Sequence, residues 1–223
     1  MPKTHGLEQY LQAIYVLGGE GELVLPSVLA DYLDVARPTV TQTVARLTHA
    51  GLVSTAEGKG LTLTELGMHR AEILVRRHRL VERWLTDDLG LDWASAHLEA
   101  GRLEHAISPL VEQRLVEHLG YPTTCPHGNV IPGSGADQQV GLHLSSIVPP
   151  ARVQVMRIAE TAEEDLDLLR FLHQTGFVPG AVLTLLDKSS PYEAGISVQV
   201  NDHVYALDEH VAQRVMVLLM SSD

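Results

Sequence analysis

Twelve histidines share a chain of 223 residues with a single cysteine, and several are spaced for joint chemistry. His78 and Glu82 lie four residues apart, so a helix sets them one turn apart on one face. His97, Gly101, Glu104 and His105 follow at i, i+4, i+7 and i+8, again one helical face. Imidazole with carboxylate, and no cysteine cluster, is a donor set for Fe²⁺ or Mn²⁺, and equally for Zn²⁺, Co²⁺ or Ni²⁺. Each pair alone also has the form of a solvated helix face. His and Glu clusters build hydrolytic metal sites too. However, the sequence has no His-Glu-x-x-His helix, no Gly-rich phosphate loop after a strand and no Gly-x-Ser-x-Gly, which points away from an enzyme.

The periodicity of the chain indicates what must hold these residues. Residues 5 to 17 read as an amphipathic helix ended by Gly18-Gly19. Pro26 opens a second helix, Asp34-Val35-Ala36-Arg37 a turn, and Pro38 a third helix closed by Gly51. Leu52 to Ala56 and Leu61 to Leu63 are strand-like, joined by the turn Glu57-Gly58-Lys59-Gly60. A long helix runs from Thr64 to about Leu89, a second from Asp92 to about Ile107, and a third from Ser108-Pro109 to Gly120. Between Tyr121 and Pro150 the composition turns to Pro, Gly, Ser and Thr, a loop and linker. Beyond it, β-rich segments at 152 to 158, 181 to 187, 195 to 200 and 203 to 207 surround one helix at about 163 to 174. The fold class is α+β, mostly α. It divides into a winged helix-turn-helix over 1 to 72, a helical domain over 73 to 140, a linker over 141 to 150 and a small β-barrel over 151 to 223.

The unit over residues 26 to 63 has the plan of a DNA reader. In its third helix Val40, Val44 and Leu47 share one face while Thr39, Gln42, Thr43 and Arg46 form a small polar stripe. Thr and Gln side chains can touch base edges, Arg37 and Arg46 can reach phosphates, and Lys59 sits on the wing. The DNA-contacting set is thus Arg37, Pro38, Thr39, Thr41, Gln42, Arg46 and Lys59. An ordinary polar surface helix is the plainer reading, and the hairpin favours DNA.

Charge complicates this. With 28 acidic and 16 basic residues the net charge is −12, which on composition alone argues against nucleic acid. Residues 1 to 70 hold five Lys and Arg against seven acids, so most of the excess acid lies further on. A DNA-binding surface of this kind relies on a few placed cations and helix N-termini. Apolar runs such as Val215 to Met220 fall short of the roughly 18 residues of a membrane span. Neither signal peptide nor anchor is expected, and the lone Cys125 fits a reducing compartment, the cytoplasm.

Four runs carry a family resemblance: Arg37-Pro38-Thr39-Val40-Thr41-Gln42-Thr43-Val44-Ala45-Arg46-Leu47, then Arg77-His78-Arg79-Leu80-Val81-Glu82-Arg83, then Glu104-His105, then Gly128-Asn129-Val130-Ile131-Pro132-Gly133. In this order, over nearly the whole chain, the sequence resembles the diphtheria toxin repressor family and its manganese transport regulators. The resemblance implies a homodimeric, metal-activated repressor of metal-uptake genes on a palindromic DNA operator, with Mn²⁺ or Fe²⁺ at two sites per chain and no membrane association. It implies an ancillary site at His78, Glu82 and His97, completed by acids of the C-terminal portion. Glu164 and Asp167 are the candidates, with Asp165 as a rival, all at the start of the 163 to 174 helix, where Glu163-Glu164-Asp165 equally reads as acids favouring a helix N-terminus. The primary site matches at Glu104 and His105, whereas Gln9 stands where relatives supply Met or Asp, and Gly101 where they supply Cys or Glu. The resemblance offers Cys125, from Cys125-Pro126-His127-Gly128, as the missing donor beside Glu104, His105 and the Gln9 amide, with His127 a further one. A buried apolar cysteine is the plainer reading of Cys125. The remaining rival is a winged-helix regulator that senses an organic effector or a partner protein, its histidines structural.

Overall fold

The structure, a computed structural model, describes residues 6–56, 60–137, 139–187 and 195–220. It divides into two compact units, Met1–His78 and Arg79–Asp223.

In the first unit, α1 (Leu7–Gly19) buries Tyr10, Leu11, Ala13, Ile14 and Leu17. Next come α2 (Pro26–Leu33), with Pro26 in its first turn and Asp34 left-handed at its end, and α3 (Arg37–His49). A proline in the first turn lacks only a donor that has no partner there anyway. The antiparallel pair β1 (Val53–Ala56) and β2 (Gly60–Leu63) forms the wing. The turn carrying Lys59 lies outside the described residues. Thr64 starts α4 (Glu65–Asp87): its hydroxyl accepts from Gly67 N at 3.1 Å and donates to Gly51 O at 2.7 Å. A Cβ at Gly67 would stand 1.9 Å from the Leu52 carbonyl oxygen, so only glycine lets α4 begin this close to the wing.

The second unit takes up α4 from Arg79. Asp92 caps α5 (Trp93–Leu103) through Ser95 N, and Ser108 caps α6 (Pro109–His118) through Val111 N. Helix α5 ends at Leu103, short of the expected Ile107, which leaves Glu104 at its C-terminal cap. The sheet comprises β3 (Leu142–His143), β4 (Ala151–Ile158), β5 (Val182–Leu185), β6 (Ile196–Val200), β7 (His203–Leu207) and β8 (Val215–Leu219). Its order is β3-β8-β4-β5-β6-β7, antiparallel throughout. This is an antiparallel sheet, and among the described residues no pairing joins β3 to β7. Strand β8, expected only as an apolar run, lies inside the sheet, which is why Val215 and Val217 are fully buried. Two helices pack in this region, α7 (Leu166–Thr175) and the short α8 (Glu209–Ala212). The sheet core also takes in Trp93 and Ala94 from the start of α5, so the helical and sheet parts of this unit share apolar contacts.

Two details of the sheet matter for the site. The β4–β8 register shifts between Val155 and Arg157, a bulge that re-aims the end of β4. Gly128, at φ +91°, packs against that bulge, where a Cβ would meet Met156 O at 2.5 Å. The loop carrying Cys125 and His127 is thereby pressed onto β4.

Candidate metal centre and nucleic-acid face

Helix α3 turns Val40, Val44 and Leu47 inward and leaves Arg37, Pro38, Thr39, Thr41, Gln42 and Arg46 exposed. Thr43, placed on the polar stripe by sequence, is 9% exposed and packs with the core side. Its neighbours Val40, Val44 and Leu47 set the buried arc, and Thr43 falls inside it. The Thr41 hydroxyl donates to Arg37 O at 3.1 Å. Its hydroxyl is thus engaged with the backbone, which leaves the methyl as the group Thr41 offers outward.

Where α4 enters the second unit, side chains from four segments converge. From α4 comes Glu82, fully buried, with His78 one turn earlier on the same helix. From α5 comes His97, whose Nδ1 lies 2.9 Å from Glu82 Oε1. From the loop come Cys125 and His127, whose Nδ1 lies 3.6 Å from Glu82 Oε2 and 3.8 Å from Cys125 Sγ. The last contributor is Glu163, 3.2 Å through Oε1 from His127 Nδ1 and 3.7 Å through Oε2 from His97 Nδ1. Two donor groups result, each with ligand atoms within 4.8 Å of one another: His78, Glu82, His97 and Glu163; and Glu82, Cys125 and His127. Glu82 belongs to both.

Glu163 is the residue that sequence reasoning missed. Helix α7 begins at Leu166, not 163, with Asp165 as its N-cap accepting from Leu168 N at 3.0 Å. Glu163 therefore lies in the turn before the helix, free of helical phase, and points inward. Glu164 and Asp167, expected as ligands, are exposed, and Asp167 pairs with Arg170 at 2.9 Å. The signal was present: an Asp N-cap at 165 followed by Leu168 and Leu169 places residue 163 outside the helix.

The electrostatics suit a cation. Two buried carboxylates stand together, and His127 supplies their compensation. Burial opposes charge on His127, yet Glu82 and Glu163 outweigh it and hold its pKa well above the ordinary histidine value. Burial likewise pushes the Glu163 carboxyl up, but the His127 imidazolium prevails and the net shift is downward. His127 Nε2 is buried and has no hydrogen-bond partner among the described residues. Three imidazoles, two carboxylates and one thiol are what a divalent cation would need here, and it would take over the role of that proton.

Around the centre, Arg79 pairs with Glu160 and donates to Val130 O, tying α4 to the loop and to the segment leading to Glu163. Trp93 packs edge-on against His127, centroids 4.7 Å apart, and stacks on His173 at 5.0 Å.

Comparison with known proteins matches residues 4–61 to "Iron dependent repressor, N-terminal DNA binding domain", and residues 64–133 to "Iron dependent repressor, metal binding and dimerisation domain". The iron-dependent repressor IdeR of Mycobacterium tuberculosis is 39% identical over 207 residues, 88% of this chain and 89% of its own. The chain belongs to the iron-dependent repressor family. Residues 142–219 match the FeoA domain. The diphtheria toxin repressor of Corynebacterium diphtheriae is 36% identical over 81% of this chain and 84% of its own. Among solved structures, a manganese-dependent transcriptional repressor in complex with manganese superposes with TM-score 0.83 at 28% identity, over 96% of this chain and all of that one. ScaR with bound Zn²⁺ gives 0.81 at 28% identity, over 97% of this chain and all of that one.

Against that family pattern, the surroundings of Glu104 and His105 are sparse. Glu104 is 2% exposed, with His105 Nε2 3.4 Å from its Oε1. Gly101 on the same face has no atom within 4 Å of where a Cβ would be. Gln9 accepts from Gly6 N at 3.0 Å, capping α1. Cys125, expected here, sits with Glu82 and His127. Among the described residues no third His, Cys, Asp or Glu joins Glu104 and His105.

Proposed function

We propose that this chain is a cytoplasmic, metal-activated transcriptional repressor of metal-uptake genes, bound as a homodimer to a palindromic DNA operator. Its effector is Mn²⁺ or Fe²⁺. Its domains are the winged helix-turn-helix over 1–72, the helical metal-binding and dimerisation domain over 73–140 and, after the 141–150 linker, a small β-barrel over 151–223. Support for this division comes from the three consecutive family matches. No helix of the described residues is long and apolar enough to cross a membrane.

The observation that carries the reading is the convergence on Glu82. We read it as one centre able to hold two cations, one facing His78, His97 and Glu163 and the other facing Cys125 and His127, with Glu82 shared. The thiolate end favours softer ions, the imidazole and carboxylate end Mn²⁺ or Fe²⁺. The Glu104–His105 pair, which lacks a donor at Gly101, is the weaker site. In the DNA-binding domain Arg37, Pro38, Thr39, Thr41, Gln42 and Arg46 form the contact face, and Lys59, outside the described residues, is a further DNA-contact candidate. Coupling requires that metal prefer the DNA-competent state. The test is DNA binding measured in chelator and again with Mn²⁺ or Fe²⁺. Metal should tighten operator binding by at least tenfold, and indifference to metal would sink the reading.

A further inference from the structure

Asn129, 1% exposed, is neither a ligand in this centre nor part of an apolar core. Its Nδ2 donates to Glu163 Oε1 at 3.0 Å and to Ile158 O at 3.1 Å, while its Oδ1 accepts from Arg157 at 3.3 Å. The amide orientation follows from the partners. A carbonyl and a carboxylate can only accept and a guanidinium can only donate, so the flipped amide would lose all three bonds. The backbone of Asn129 is equally committed, its carbonyl accepting from Cys125 N at 2.9 Å to close the ligand loop. One residue thus joins the loop bearing Cys125 and His127 to the segment bearing Glu163.

The two oxygens of Glu163 face different ways. Oε1 receives Asn129 and His127, and Oε2 faces His97. We propose that Asn129 is a positioning residue: by pinning Oε1 it presents Oε2 to the His78 and His97 half of the centre, and so governs occupancy of that half separately from the Cys125 and His127 half. The separation has a basis in the donor sets, since Glu163 belongs to the first group and not to the second. An unpinned buried carboxylate can rotate towards His127 alone and withdraw from His97. Outer-shell partners of this kind are typically worth 10- to 100-fold in metal affinity. The inference rests on the reading of this cluster as a metal centre.

Co²⁺ titration of the full chain tests it, because thiolate-to-Co²⁺ charge transfer in the near ultraviolet reports the Cys125 half alone, and total Co²⁺ bound against a competing chelator reports both. For Asn129→Ala we expect the ion without the thiolate band to weaken at least tenfold while the band titrates with its original midpoint. Two unchanged midpoints, or two that fall together, would overturn the proposal, the second by showing a general structural role. If metal-free melting shows that Asn129→Ala does not fold, Asn129→Ser, judged by the same midpoints, decides. An unsubstituted protein that binds no Co²⁺, or binds it without a thiolate band, removes the underlying reading instead.

Discussion

Replacing Glu163 by glutamine keeps the shape of the side chain and removes one buried negative charge facing the cluster. For one pair of unit charges about 4 Å apart at an effective dielectric near 20, the Coulomb term is about 4 kcal/mol. Part is returned, because the amide still offers a carbonyl oxygen and no longer has to be desolvated as an anion. A net loss of about 2.7 kcal/mol, or about a hundredfold in affinity, follows. At metal concentrations near 100 times the Kd, binding stabilises the native state by about 2.7 kcal/mol, and a hundredfold weaker site leaves about 0.4. For a chain of this size that is a fall in the metal-induced melting increment from roughly 5–10 °C to about 1 °C. Calorimetry with and without Mn²⁺ reads it directly, and Glu164→Gln and Asp167→Asn, both exposed, serve as comparators that should keep the full increment. An increment undiminished in Glu163→Gln, or lost equally in Glu164→Gln, would refute the placement of Glu163 at the metal.

Cys125→Ser should abolish the thiolate charge-transfer band of bound Co²⁺ and weaken that ion at least tenfold, with metal-free melting changed by no more than a few degrees; a band that persists rules Cys125 out as a ligand. Because Glu82 and Glu163 raise the His127 pKa against the opposing effect of burial, the folded chain holds that proton more tightly than the unfolded one. Its contribution to stability is full below about 6.5 and lost as pH rises through the raised value, whereas a cation that must displace the proton binds more tightly over the same rise. Metal-free melting should therefore fall above pH 6.5 while the Mn²⁺ increment grows, and an increment independent of pH contradicts the exchange. On DNA, Gln42→Ala should cost about 1–3 kcal/mol on the operator and relax base preference, whereas Arg46→Ala should weaken operator and random DNA alike and flatten the salt dependence. Equal losses on both DNAs for Gln42→Ala would remove it from the reading face.

Most of the architecture was legible because its signals are local. Prolines at 26, 38 and 109, caps at Asp92 and Ser108 and Gly60 at the start of β2 each fix a boundary through one or two residues. The i, i+4 spacing of His78 and Glu82 shows that they share a helix face. What spacing could not show was which remote groups meet that face. Cys125 was assigned to Glu104 and His105, yet the loop is held against β4 by Gly128 and by Ile158 N, which donates to His127 O at 2.8 Å, and this carries both donors to Glu82. Glu163 was hidden by a boundary error of three residues, since reading it as helical made it one more acid at a helix N-terminus. Strand β8 was hidden because Val215 to Leu219 is an unbroken apolar run with no period of two, although only Val215, Met216 and Val217 are buried.

The acidic balance gains a narrower meaning from the structure. Four of the acids, Glu82, Glu104, Glu160 and Glu163, are buried, and Glu160 is matched by Arg79 and the Glu82–Glu163 pair by His127. Two divalent ions would add about four charges, but a proton lost from His127 and one from Cys125 would return about two. The formal −12 counts histidine as neutral, so a chain with His127 protonated stands at −11 and would move only to about −9. With a screening length of about 8 Å in physiological salt, so small a change is not enough to turn repulsion from DNA into attraction. Bulk neutralisation is therefore too small to account for metal control of DNA binding of the kind proposed above. Helix α4 carries His78 and Glu82, and its first turn is fixed by Thr64 and Gly67 to the backbone at Gly51 and Leu52, directly after α3.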